Sequence, residues 1–425
     1  MLDIRFIREH PDLVQAGARK KRIDFDVRDL LDRDGNRRRL ISQVESLKAQ
    51  RNKKSKEMPT LQGEARQEAI TEMQQVAEVS RTLERQLRAV EADFEALMLR
   101  VPNVPADDVP EGLTEADNVV IKTWGEIPQF DFTPCDHVEL GERLDIIDIP
   151  RAVNLAGSRT YFLKHAGVLL EQAVLQYALH HMVRKGFTPL LVPHLVKDEA
   201  MVGTAYFPAG QEQTYRLSED QLNLIGTAEV PVTAYHADEI LRADELPKYY
   251  VGLSSCYRRE AGTYGKDTHG LYRVHQFQKV EQVVLCANDP EVSRQEHDHI
   301  LHNAEELLQA LRLPYRVVIV CGGDLGLPQV KKYDIETWMP SRQAYGETHS
   351  ASKFHDFQAR RLRLRYRDQD GTVRFLHTLN NTVIASPRIL IPLLEIHQRA
   401  DGSVAIPEVL QPYMGGMQEM VPHDV

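Results

Sequence analysis

The chain has 425 residues, with 52 lysines and arginines against 62 aspartates and glutamates and a formal charge of −10 at pH 7. That length supports two or three domains with ample core, and the acidic balance excludes a surface that coats nucleic acid uniformly. Cys135, Cys256, Cys286 and Cys321 form no CxxC pair, which argues against a disulfide framework or a structural zinc site. No apolar run approaches the ~18 residues of a membrane helix, and the opening MLDIRFIREHPDLV is charged from Asp3 onward, unlike a signal peptide. A cytoplasmic protein is expected.

After a short start from Ile4 to Gln15, residues 28–100 hold almost no aromatics or turn signals except one break, MPTLQG, at Met58 to Gly63. Beyond the break Leu83, Leu87, Val90, Phe94 and Leu97 are spaced 4, 3, 4, 3, as an a/d seam requires. Before it Leu40, Val44 and Leu47 keep that spacing until the seam turns polar at Arg51. The pattern predicts two long helices packed antiparallel, each roughly 45 Å long at ~1.5 Å per residue. Between Arg33 and Lys56 lie nine basic and two acidic residues, +7 on a chain of −10. Arg37, Arg38, Arg39, Lys48, Arg51, Lys53, Lys54 and Lys56 supply most of it. Such a run is either a solvated helix face or a phosphate-backbone footprint. Pro102, Pro105 and Pro110, mixed with acids, mark a linker. The expected division is an arm at 1–103, a linker at 104–118 and a body at 119–425.

In the body, residues 165–185 space Val168, Leu169, Leu175, Leu179 and Met182 as a helix. Gly186 ends it, and a strand runs to Pro193. Thr227-Ala228-Glu229 follows a short apolar strand and reads locally as an N-cap with a first-turn acid. Tyr257 to Glu281, YRREAGTYGKDTHGLYRVHQFQKVE, reads as strand, polar loop and returning strand. It interleaves Arg258, Arg259, Lys266, Arg273 and Lys279 with Glu260, Asp267 and Glu281, and such a hairpin can aim several guanidinium forks at carboxylate or phosphate oxygens. Within it, GTYGKDT from Gly262 has two residues where a GxxxxGK[ST] phosphate loop needs four, so it is not one. Asp289 to Leu313 reads as a surface helix whose His297, His299 and His302 do not share a face. Strands are expected at Val317 to Val320, Tyr333 to Trp338, Arg361 to Arg367 and Val373 to His377, and an apolar helix from Ala385 to Ile396. Arg388, near the start of that helix, needs an anionic partner, internal or a ligand.

The Tyr257–Glu281 stretch resembles motif 2 of the class II aminoacyl-tRNA synthetases, specifically the seryl-tRNA synthetases. The likeness extends over the coiled-coil arm, the linker, a motif 1 helix and strand ending at Pro193, the TAE triplet, DFQARR, motif 3 around Arg388 and the closing PEVLQPYM. It implies an α+β fold: an N-terminal antiparallel helical coiled-coil hairpin plus an antiparallel-sheet catalytic domain flanked by helices. It further implies ATP-dependent activation of L-serine to seryl-adenylate and transfer to tRNA(Ser), and to tRNA(Sec) where that tRNA exists, by a homodimer that joins through motif 1. By family position Arg258, Glu260 and Arg388 are catalytic. Arg258 bridges the serine carboxylate and the α-phosphate, Glu260 reads the adenine amino group, Phe277 stacks on the base and Arg388 holds the γ-phosphate. Arg259, Arg273, Val274, Thr348 and His349 complete the ATP positions. Glu347 and Ser350 are the Mg²⁺ positions, and no zinc is expected. Thr227, Ala228, Glu229, Arg258, Glu281 and Thr382 fall on the serine pocket, with Glu281 and Thr382 at the hydroxyl. The basic arm becomes the tRNA-binding arm. Three positions depart from the family's usual residues: Arg259 for serine, Gly346 for arginine and Ala351 for cysteine. A paralogue that serves another acceptor and a silent RNA-binding or regulatory protein are the alternatives; the basic arm argues against the first, and retention of Arg258, Glu260, Glu281, Glu347 and Arg388 against the second.

Overall fold

The computed structural model describes residues 1–262 and 269–422. Lys266, Asp267 and most of the GTYGKDT segment therefore lie outside the described residues. The chain forms two compact units: Met1–Arg19 with Ile23–Pro102, and Lys20–Arg22 with Asn103–Val425.

The first unit is helical. Asp26 caps Val27–Glu57 by accepting from the Arg28 amide at 2.8 Å. A 3₁₀ turn, Met58–Thr60, reverses the chain at the predicted break, and Gly63–Met98 returns. Leu40, Val44 and Phe94 are buried in the seam, whereas Leu83 and Leu87 are only half-buried. A two-helix seam covers each side chain from one direction, so part of the seam stays wet. The short helix Ile4–Glu9 is clamped to the hairpin by Arg8, whose guanidinium donates twice to Asp34, at 2.7 and 2.9 Å.

The second unit is built on an eight-stranded sheet: β1 (Val119–Trp124), β2 (Thr188–Leu191), β3 (Lys248–Tyr257), β4 (Gln276–Cys286), β5 (Tyr315–Ile319), β6 (Lys331–Met339), β7 (Ala344–His355) and β8 (His377–Ser386). Their order is β1-β5-β6-β7-β8-β4-β3-β2, antiparallel throughout except for the β2–β3 edge. The helices His165–Arg184 and Pro290–Ala310 cover one face. There Gln282 and Asn381 both donate to the Ile300 carbonyl, at 2.9 and 2.7 Å. Because strand side chains alternate, their neighbours Glu281, Asn380 and Thr382 point to the opposite face, where the cleft lies.

Three expectations are corrected. Arg361 to Arg367 is not one strand: Phe357–Leu362 is a helix that buries Phe357 and Leu362, and only Arg365–Arg367 is extended. An Arg360–Asp356 ion pair at 2.7 Å, one helical turn apart, supports that helix against the alternating pattern. The apolar helix begins at Leu390, not Ala385, because Ala385 and Ser386 still pair with Lys279 and Gln278 in the sheet and the residue before Pro387 resists helix. The histidine helix is not all surface. His297 is buried, bonds the Ala351 carbonyl at 2.9 Å, and is held neutral by that burial, its pKa lowered to about 3. Among the described residues no helix is long and apolar enough to cross a membrane.

Candidate active site

The β3–β4 hairpin forms one wall of a cleft of about 490 Å³. Alternation along β4 sends Phe277, Lys279 and Glu281 into it. Arg258, just beyond β3, lies 5.1 Å over the Phe277 ring and donates to the Gly226 carbonyl at 3.4 Å. Glu260 adopts φ 51°, a left-handed backbone uncommon for glutamate, and its carboxylate accepts from Arg273 at 3.3 Å with Arg159 at 3.8 Å.

One end of the cleft is carboxylate-rich. Glu281 pairs with Lys279 at 2.6 Å, and the two are almost fully buried. Thr382 is its cross-strand neighbour in the β4–β8 ladder. Burial raises the Glu281 carboxyl, opposed by the Lys279 charge. Glu229 accepts from the Tyr206 hydroxyl and from Gln358 Nε2, both at 2.8 Å. Burial first, and the Glu281 charge second, push its pKa up to about 7.

The other end gathers guanidinium. Arg388 donates to the Tyr272 carbonyl at 3.2 Å and the Glu347 carbonyl at 3.0 Å, and its head stands 3.9 Å from the Glu347 carboxylate. The anionic partner demanded by the sequence is thus Glu347. Two guanidinium groups stack on the Tyr272 ring, Arg388 at 4.4 Å and Arg342 at 4.2 Å from its centroid. A Cβ at Gly346 would come within 3.1 Å of the same ring and 3.0 Å of the Met339 thioether, so cationic stacking on Tyr272 comes from outside position 346. Glu347 and Ser350 line the cleft on β7. Asp334, opposite Ser350, keeps one buried oxygen without a hydrogen bond. A carboxylate, a hydroxyl and a neighbouring orphaned oxygen are the donor chemistry a hard divalent cation takes. Among the described residues no group of three or more His, Cys, Asp or Glu is positioned to hold a metal.

Of the expected site residues, Glu229, Arg258, Glu260, Glu281 and Thr382 line the cleft, as do Arg273, Val274 and Phe277, and Glu347, Thr348, Ser350 and Arg388. His349, Arg259, Thr227 and Ala228 do not. The His349 ring is buried on the helix side, bonded to the Val383 carbonyl at 3.0 Å. Arg259 is exposed and donates to the Glu212 carbonyl. Thr227 accepts from the Glu229 amide at 3.2 Å and positions that residue from behind. Sequence reasoning missed Tyr206, Asn380 and the Gly326–Gln329 loop, and left Lys279 without a role. The period-two pattern Phe277-x-Lys279-x-Glu281 was a signal that could have placed Lys279.

An antiparallel sheet carrying arginines around a nucleotide-sized cleft, with a helical hairpin ahead of it in the chain, defines a class II aminoacyl-tRNA synthetase. The family model described as the tRNA synthetase class II core domain (G, H, P, S and T) matches residues 213–397, and that of the seryl-tRNA synthetase N-terminal domain matches residues 1–105. The chain is 49% identical to the serine--tRNA ligase of Deinococcus radiodurans over 98% of both chains. A crystal structure of seryl-tRNA synthetase from Pyrococcus horikoshii complexed with ATP superposes with a TM-score of 0.93 at 39% identity, covering all of both chains. A Naegleria fowleri cytoplasmic serine-tRNA ligase in complex with AMP gives 0.87 at 30% identity, over all of this chain and 99% of that one. The chain belongs to the seryl-tRNA synthetase family, the serine--tRNA ligases.

Proposed function

We propose that the chain activates L-serine with ATP and transfers it to the 3′ end of tRNA(Ser), and of tRNA(Sec) where that tRNA exists. The observation that carries this is a single cleft with buried carboxylates at one end and guanidinium groups at the other. A zwitterionic amino acid and a polyphosphate fit end to end in such a field.

In the first step a serine carboxylate oxygen attacks the α-phosphorus in line and pyrophosphate leaves. In the second the terminal ribose hydroxyl attacks the anhydride carbonyl and AMP leaves. Neither step requires a protein nucleophile; positioning and charge neutralisation lower the barrier. Arg258 bridges the serine carboxylate and the α-phosphate, which draws the nucleophile to its target. Phe277 stacks the adenine, Glu260 accepts from its amino group, and Arg388 neutralises the γ-phosphate end. Glu347 and Ser350 would hold Mg²⁺, whose bound charge offsets that of the phosphates. Glu229 receives the serine ammonium. Glu281 and Thr382 bond the hydroxyl, so alanine leaves them unpaired and is rejected strongly. Threonine is rejected by volume, a weaker effect of ~1–3 kcal/mol.

The arm, 1–103, binds tRNA through the backbone, the segment 104–118 links it to the catalytic body, 119–425, and the active form is a homodimer joined by the face that ends at Pro193. Exposure of Leu191 (84%), at the end of the strand that leads to Pro193, supports a covered interface there. The reading is tested by ATP–pyrophosphate exchange with serine, alanine and threonine. Exchange with serine alone supports it, and equal exchange with alanine contradicts it.

A further inference from the structure

Lys21 is a buried ammonium with 3% exposure, and among the described residues no carboxylate pairs with it. Its Nζ donates to three main-chain carbonyls, Gly326 at 3.0 Å, Leu327 at 2.9 Å and Gln329 at 2.5 Å. An ammonium has three protons to give, and all three are used. The fourth carbonyl of that loop, on Pro328, accepts from Asn103 Nδ2 at 3.0 Å, and the Asn103 amide donates to Leu327 at 2.9 Å. A loop whose carbonyls converge on one point is electronegative there, and a buried charge is tolerated only when such dipoles surround it. Burial pulls the lysine pKa well below its ordinary value.

The same four residues, Gly326 to Gln329, line the active-site cleft. Gln329 ties the loop to the sheet: its Oε1 accepts from the Gly326 amide at 2.7 Å and its Nε2 donates to Ser352 Oγ at 2.8 Å. Ser352 pairs in register with Asn380, two residues from Thr382. Through Ser352 the loop therefore borders Asn380, on the strand that carries Thr382. Lys20 and Arg22 are held in the same unit, Lys20 by Glu111 at 3.3 Å and Arg22 by the Leu113 carbonyl at 3.4 Å.

We infer that Lys21 is a positioning residue for serine selection: its Nζ, donating to three main-chain carbonyls, shapes the Gly326–Gln329 wall of the amino-acid end of the cleft. The inference rests on the proposed serine-activating function. The test is ATP–pyrophosphate exchange by the full-length wild type, Lys21→Met and Gln329→Leu, with KM measured separately for serine and ATP and folding followed by thermal melting. Lys21→Met keeps the stem and removes the charge. Gln329→Leu cuts the same loop from Ser352 without leaving a buried charge unmet, and it decides the matter if Lys21→Met does not fold. The expected result is a serine KM raised about tenfold in each folded variant, with the ATP KM within about twofold of wild type. Unchanged serine KM, or parallel rises for both substrates, overturns the inference. A wild type without serine-dependent exchange overturns the underlying function instead.

Discussion

In the proposed function Glu229 meets the serine ammonium only as a carboxylate, and its surroundings set when it is one. Its ordinary value is 4.5 and burial raises it to about 7 in the folded chain. In the unliganded protein it is protonated below about 7, so kcat/KM for serine should fall as pH drops through that value. Glu229→Gln should be slower throughout and lose the inflection; a wild-type profile flat from about pH 6 to 8 would contradict the assignment. The linkage sign gives a second readout. A carboxyl raised by folding destabilises the free protein as pH rises from 4.5 toward 7, and pairing with an ammonium relieves this. Serine should therefore raise the melting temperature more at about pH 8 than at about pH 6. At the other end of the cleft, Arg388→Ala removes the head that faces Glu347 and leaves the phosphates without their fixed charge. Exchange kcat should drop roughly 10²–10³-fold, with a melting temperature close to wild type. At this scale the sequence was partly legible. Arginine-rich motif 2 announced Arg258 and Arg273 by residue type. Tyr206 and Asn380 gave no such sign, because a tyrosine or asparagine acquires meaning only when folding sets it beside Glu229 or Thr382.

The helical hairpin shows how a local charge count changes on folding. Arg37 pairs with Glu91 at 3.6 Å and Lys48 with Glu84 at 3.1 Å, and Lys54 pairs with Glu72, all across the two helices. Part of the +7 is thus neutralised by the returning helix, which the count over one helix did not include. Replacing Arg51, Lys53 and Lys56 with glutamine avoids those pairs. It should raise the KM for tRNA at least tenfold, leave pyrophosphate exchange unchanged, and flatten the salt dependence of RNA binding by up to ~0.9 for each phosphate no longer neutralised. An unchanged tRNA KM would remove the arm from RNA recognition. The seam itself was readable from heptad spacing, and Phe94 is its one aromatic, buried and capped by Arg37 at 5.0 Å. Phe94→Ala should cost about 3 kcal/mol in denaturant unfolding of the hairpin. Strand boundaries were less legible. The alternation of Arg361 to Arg367 imitates a strand, and the competing helix is decided by the tertiary burial of Phe357 and Leu362.

Over the whole molecule, an acidic chain with a basic segment near its N-terminus already pointed to the proposed division between an RNA-binding arm and a catalytic body. The antiparallel sheet was read through resemblance, since periodicity alone does not order eight strands, and pairs such as Glu281 with Thr382 lie far apart in the chain. A homodimer predicts a mass of about twice 48.5 kDa by light scattering. Leu191→Asp should halve it, and a wild-type monomer would refute the interface. The most direct test of serine-specific tRNA charging offers the purified chain total tRNA, ATP and each of the twenty labelled amino acids. Serine alone should become attached, through an alkali-labile ester on tRNA(Ser). Serine-dependent exchange with no esterified tRNA would contradict that function, as would attachment of any other amino acid at a comparable rate.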